Sequence, residues 1–220
     1  MRQRGNAESI VVRDVHRAGR RHMNAGPLLM VTGIGFLLGS IPFPYLFTRR
    51  RGIDLRTVGS GNVGATNALR VSSPATAITV LALDATKGSL AVWIADALTR
   101  QNTLAVLAGL AAILGHVYPP WLGFRGGKGM ATTAGVFAVL APVATMVSAA
   151  VFVLLTAVSR VVSVGSLGAM VALPPLTAWF GGSSAVIAGA CVASAFVAFR
   201  HRTNMRRLWL GVERRLGQGL

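Results

Sequence analysis

The chain has 220 residues, 53% of them apolar and 13% charged, with a mean hydropathy of +0.59 and 22 basic against 6 acidic residues. That balance excludes a disordered chain and an ordinary soluble domain. The net charge of +16 would suit a nucleic-acid binder, but the basic clusters are separated by nearly continuous apolar blocks, which is the pattern of membrane topology.

Residues 1–26 form an arginine-rich tail with no apolar core of the kind a secretory signal carries. It reads as disordered or as the product of a misassigned start, Met23 or Met30 then being the first residue. Apolar stretches follow near 27–48, 74–98, 102–121, 129–141, 142–158, 161–180 and 183–199. A single helix over 130–158 would be roughly 43 Å long, too long for a hydrocarbon core of about 30 Å, so two short helices broken at Pro142 are expected. The fold class is therefore an all-α integral membrane protein, a bundle of about seven transmembrane helices over 27–200 with glycine-rich cytoplasmic loops and a basic cytoplasmic segment at 201–220. Segments 49–73, 122–128, 159–160 and 200–220 together hold fourteen Lys and Arg, which places them on the cytoplasmic face; only Arg100 and the six arginines of the tail lie opposite.

Inside the second span Asp84 and Lys87 lie three apart on one helical face. They read as a structural ion pair, or a tie to a neighbouring loop, rather than a proton relay. Cys191 stands alone in an apolar run, where it reads as a buried small hydrophobe.

The first loop contains VGSGNVGATNALR. Its Gly59-x-Gly61-x-x-Gly64 is not a dinucleotide fingerprint, because no strand precedes it and a membrane span follows. Its chemistry still suits an anion: glycines let backbone N–H groups approach, Ser60, Asn62, Thr66 and Asn67 add short polar side chains, and Arg70 adds a bidentate fork. The second loop, GHVYPPWLGFRGGKGMATTAG, is not a Walker A loop, since Gly129 rather than Ser or Thr follows Lys128. Gly126, Gly127, Lys128 and Gly129 nevertheless open the fourth span, joining N–H groups, a positive helix end and a lysine at one phosphate-sized spot. Only Lys87 and Lys128 among the 22 basic residues are lysines. His116, ahead of an aromatic and two prolines, is a weaker candidate and reads first as a buried, hydrogen-bonded histidine. Near Arg160, hydroxyls at a helix start normally cap it, although Ser166 can instead reach a ligand. In the last segment His201 and Asn204 share a helical face, while Leu208, Trp209, Leu210, Val212 and Leu216 with their arginines suit an anionic leaflet.

The stretches LGSIPFPYL (38–46), VGSGNVGATN (58–67), GHVYPPWLGFRGGKGMAT (115–132) and RHRTN (200–204) together resemble the acyl-phosphate-dependent glycerol-3-phosphate acyltransferases of bacteria, the PlsY family, over about residues 28–216. The resemblance implies transfer of a fatty acyl group from acyl phosphate to the 1-hydroxyl of glycerol 3-phosphate, giving lysophosphatidic acid and inorganic phosphate at the inner membrane, with no cofactor and no metal. It assigns functional groups to Ser60, Asn62, Arg70, Lys128, Ser166, His201 and Asn204. Ser60, Lys128, His201 and Asn204 are the expected catalytic set; Gly59, Gly61, Asn62, Asn67, Arg70, Gly126, Gly127, Gly129 and Ser166 are the expected substrate and phosphate ligands. The implied partners are the two substrates, anionic lipid and, as an open question, a peripheral acyl-phosphate-forming enzyme, with no nucleic acid. Thr203 departs from the acidic residue usual there, and Pro44 from the usual small one. A transporter for an anionic solute is the competing class, but it would place its breaks at the bilayer midplane in paired repeats, and here they gather at one face.

Overall fold

A computed structural model describes residues 25–217, which fold into ten α-helices and one 3-10 turn, with no strand among the described residues. The tail expected over 1–26 lies almost wholly outside them. The first apolar stretch is not one helix: α1 (Ala25–Ser40) stops and α2 (Phe43–Arg49) starts afresh. Pro42 and Pro44 have no N–H to continue the ladder. The break is stabilised from another helix, because Lys87 Nζ donates to the Ile41 carbonyl at 2.8 Å while staying 2.7 Å from Asp84. The Asp84–Lys87 pair is thus both the ion pair and the tie that its spacing suggests.

After the first loop come a short α3 (Ala65–Val71) and a long α4 (Pro74–Thr99). Ser73 caps α4 by accepting the Thr76 N–H, Pro74 occupies its first turn, and Arg100 ends it in the left-handed region at φ 52°. Then follow α5 (Asn102–Val117), a 3-10 turn (Pro120–Leu122), α6 (Met130–Leu140), α7 (Pro142–Ser159), α8 (Val162–Trp179), α9 (Ser184–Arg200) and α10 (Arg202–Trp209). The expected break at Pro142 is present. Five segments are long and apolar enough to cross a membrane: α1 with α2, α4, α5 with its 3-10 turn, α7 and α8; α9 joins them when taken with α10, bent 57° away. α6 is the short member: its 11 residues reach about 16 Å, roughly half the hydrocarbon core.

Small residues allow the closest crossings. A methyl group added at Gly35 or Gly39 of α1 would strike the Ala108 or Ala112 carbonyl of α5, and one at Gly88 of α4 would strike the Thr132 carbonyl of α6. Between these helices Val92, Ile113, Val136, Phe137, Leu173 and Val197 form the buried core. Trp93, Leu154, Val158 and Trp179 stay exposed on the outside, the natural lipid-facing belt. Cys191 belongs to that belt and is exposed, not buried; a lipid-facing position satisfies a small apolar side chain as well as a core does. The packing brings the first loop, the start of α6, the start of α8 and the α9–α10 corner to one end of the bundle.

Candidate functional site

The first loop is braced from within. Gly59 and Gly61 adopt positive φ (61° and 68°), and the turn they make wraps the buried Asn67 of α3. Asn67 Oδ1 accepts the Ser60 N–H at 2.9 Å, and its Nδ2 donates to the carbonyls of Leu55 and Val58 at 3.1 and 3.0 Å. The Gly61 and Gly64 N–H groups donate to the Val58 and Asn62 carbonyls. Asn67 and Gly61, expected as ligands, are therefore committed to the loop itself, and Gly59 is its hinge; the residues presented outward are Ser60 and Asn62. Below them Leu55, Val63, Ala68 and Leu122 make a small separate core. Arg56, stacked over Tyr45, holds the Asp54 carboxyl down to about 2 through their hydrogen bonds.

The glycine-rich turn is also partly self-contained. The N–H groups of Gly126 and Gly127 donate to the Val117 and His116 carbonyls at the end of α5, so these two glycines build the turn rather than bind through their amides. The His116 ring lies against Gly127 and 3.5 Å from Asp84, the buried, partnered histidine that its context suggests. Gly129, at φ 87°, starts α6 without a side-chain cap. Its first N–H groups and Lys128 therefore remain the electropositive feature of this loop.

Lys128 Nζ donates to Asn204 Oδ1 at 2.5 Å. Burial pushes its pKa down to about 8, the cations Arg207, Arg70 and Arg200 add to the shift and Glu213 opposes it. The ammonium is thus charged at neutral pH but close to losing its proton. His201 is buried, with Nδ1 2.8 Å from the Val197 carbonyl. Burial and the Lys128 charge bring its pKa to about 4, so the ring is neutral, Nδ1 carries the hydrogen and Nε2 is the acceptor.

Glu213 is the site residue that the sequence reading missed. It accepts from Asn204 Nδ2 (2.5 Å) and Ser163 Oγ (3.0 Å) on one oxygen and from Arg207 Nε (2.6 Å) on the other. These three donors hold its carboxyl below the usual range against the effect of burial. In sequence it looks like one charge in a basic tail; only the turn after α10 carries it back to α8. Ser166 lines the same cavity, with its hydroxyl donating to the Val162 carbonyl. Arg70 reaches the cavity from α3, half-buried, and no protein acceptor bonds its guanidinium among the described residues.

Two compartments meet here. A cavity of about 490 Å³ runs down between α4, α6, α7 and α8, with Leu81, Ala134, Phe137, Phe152 and Leu173 among its apolar walls. A wider mouth of about 990 Å³ opens outward among Arg56, Arg125, Arg200 and Arg202. Their common wall is Ser60, Asn62, Lys128, Asn204 and Arg207. An apolar slot and a cationic vestibule joined by a lysine suit a ligand with an apolar chain and an anionic head.

The family model for glycerol-3-phosphate acyltransferase matches residues 29–211. Glycerol-3-phosphate acyltransferases of Synechococcus sp. (strain CC9902) and Myxococcus xanthus (strain DK1622) are 45% and 47% identical to the chain, over 86% and 83% of it and 96% of their own length. The crystal structure of PlsY (YgiH), an integral membrane glycerol 3-phosphate acyltransferase, in its glycerol 3-phosphate form superposes with a TM-score of 0.83 at 37% identity, covering 86% of this chain and 96% of that one. Its lysophosphatidic acid form gives 0.81 at 35% identity, covering 86% and 95%.

Proposed function

The chain belongs to the glycerol-3-phosphate acyltransferase family, and from that premise we propose that it moves a fatty acyl group from acyl phosphate to the 1-hydroxyl of glycerol 3-phosphate at the cytoplasmic face of a bacterial inner membrane. The observation that carries this reading is the meeting of an apolar slot and a cationic mouth at Lys128 and Asn204. The acyl chain lies in the slot, its phosphate against Lys128, Arg70 and the first turn of α6. Glycerol 3-phosphate enters by the mouth and is oriented by Ser60, Asn62 and neutral His201. Its O1 forms a bond to the acyl carbonyl carbon, the bond from that carbon to the phosphate oxygen breaks, and the hydroxyl proton passes to the departing phosphate. Charged Lys128 stabilises the carbonyl oxygen and the leaving group as negative charge grows on them. The fourteen basic residues gathered in the loops and C-terminal segment support the cytoplasmic orientation and contact with anionic lipid.

Purified protein in detergent, given acyl phosphate and glycerol 3-phosphate, is expected to release inorganic phosphate only when both are present. Activity with acyl-CoA and none with acyl phosphate overturns the reading.

A further inference from the structure

The segment that brings Glu213 to the site has two opposite faces. On the inner one Glu213 is held by Ser163, Asn204 and Arg207, and the Leu216 N–H donates to the Arg160 carbonyl at 2.7 Å, pinning the chain against the start of α8. On the outer one Trp209 (87% exposed), Leu210 and Val212 are exposed, and the exposed Arg206 and Arg214 lie among them. This face continues the bilayer-facing surface of α9: exposed Phe199 stands just before the 57° bend, and the Arg202 guanidinium stacks over its ring at 4.7 Å. Apolar and aromatic side chains set among arginines, at the point where a span leaves the hydrocarbon, match the interfacial zone of an anionic leaflet.

We propose that residues 205–216 are a lipid-responsive clamp: Trp209, Leu210 and Val212 seat in the interface of the bilayer that holds the protein, arginines meet its anionic headgroups, and this seating keeps Glu213 on Asn204. Inward, the clamp is held by the bonds of Glu213 and by the Leu216 N–H. Lifting it removes the acceptor that fixes the Asn204 amide, and with it the partner of Lys128. The consequence for rate rests on the proposed reaction; the membrane contact does not.

Two measurements test it. A variant retaining Trp209 as its only tryptophan, after W93F, W121F and W179F, is placed in nanodiscs of phosphatidylcholine with or without phosphatidylglycerol. Trp209 fluorescence is expected to be quenched by lipids brominated near the glycerol backbone, and more strongly with phosphatidylglycerol present; quenching by aqueous acrylamide alone, as for a free surface or one that receives a soluble protein, overturns the proposal. In the second, kcat/KM of the wild type should rise about fivefold from the neutral to the anionic nanodisc, the scale of a single basic contact with such a surface. R206Q, which leaves Trp209 and Glu213 in place, removes one such contact and should bring that ratio down towards one, and W209S should do the same by unseating the segment. An unchanged ratio in both variants overturns the proposal. A wild type inactive in every lipid would count against the reaction, with the quenching still deciding the clamp.

Discussion

The first loop and the C-terminal segment both deliver side chains to Lys128's surroundings, and they do so by opposite means. The first loop is closed on itself: one buried amide, Asn67, bonds three backbone groups of its own loop, over a small apolar core of Leu55, Val63, Ala68 and Leu122. The C-terminal segment has no such interior. It is attached through the Glu213 carboxylate to donors on α8 and α10 and through the Leu216 N–H to the Arg160 carbonyl, with Trp209, Leu210 and Val212 exposed. A loop of the first kind is preorganised before substrate arrives; a segment of the second kind depends on its surroundings, and substitutions in the two should fail differently.

The shared centre must fail first. Lys128→Met removes the one lysine in the site, and kcat is expected to drop about a thousandfold, the upper range for loss of an electrostatic stabiliser, with circular dichroism and thermal unfolding little changed. Retention of a tenth of the rate would remove Lys128 from the centre of the comparison. Asn67→Leu comes next. It leaves the Ser60 N–H and two carbonyls without their partner, so stability should fall by about 2–3 kcal/mol and kcat/KM by about a hundredfold, both together. Glu213→Gln should separate these quantities: the melting temperature stays near that of the wild type, while kcat/KM falls about tenfold because the Asn204 amide and Arg207 lose a charged acceptor. Equal losses of stability at both positions would erase the distinction between the closed loop and the attached segment.

Much of this architecture was legible in the sequence because its causes are local. Apolar length marks the spans, Pro142 marks the α6–α7 break, and the three-residue spacing of Asp84 and Lys87 marks their pairing. The first break, at Ile41–Pro42, is not legible because the stretch is apolar throughout and its stabilising partner, Lys87, comes from another helix. By composition the glycines of both loops suit an anion; several of their N–H groups are taken by nearby carbonyls, which a composition cannot show. Glu213 is the clearest case. Nothing in GVERRLG distinguishes a solvated charge from a buried acceptor, since that depends on a turn and on Ser163, fifty residues earlier. The resemblance, more than spacing, points to Lys128, His201 and Asn204.

The pH profile gives the smallest effects and probes the two regions through the same lysine. With the Lys128 pKa at about 8, its charged form prevails at neutral pH and is lost as pH rises through that value, so kcat/KM should decline above about pH 8. Glu213 carries the negative charge that opposes this depression; in Glu213→Gln the alkaline limb should therefore move to lower pH, whereas no variant of the first loop's Asn67 should move it. His201, brought to about 4 by burial and by Lys128, is neutral throughout this range and contributes no limb between pH 5 and 8. If the departing phosphate takes the proton, His201→Ala should raise KM for glycerol 3-phosphate several-fold and lower kcat by less than about tenfold, below the usual contribution of a general base. A kcat loss of about a thousandfold with unchanged KM would instead make His201 Nε2 the proton acceptor.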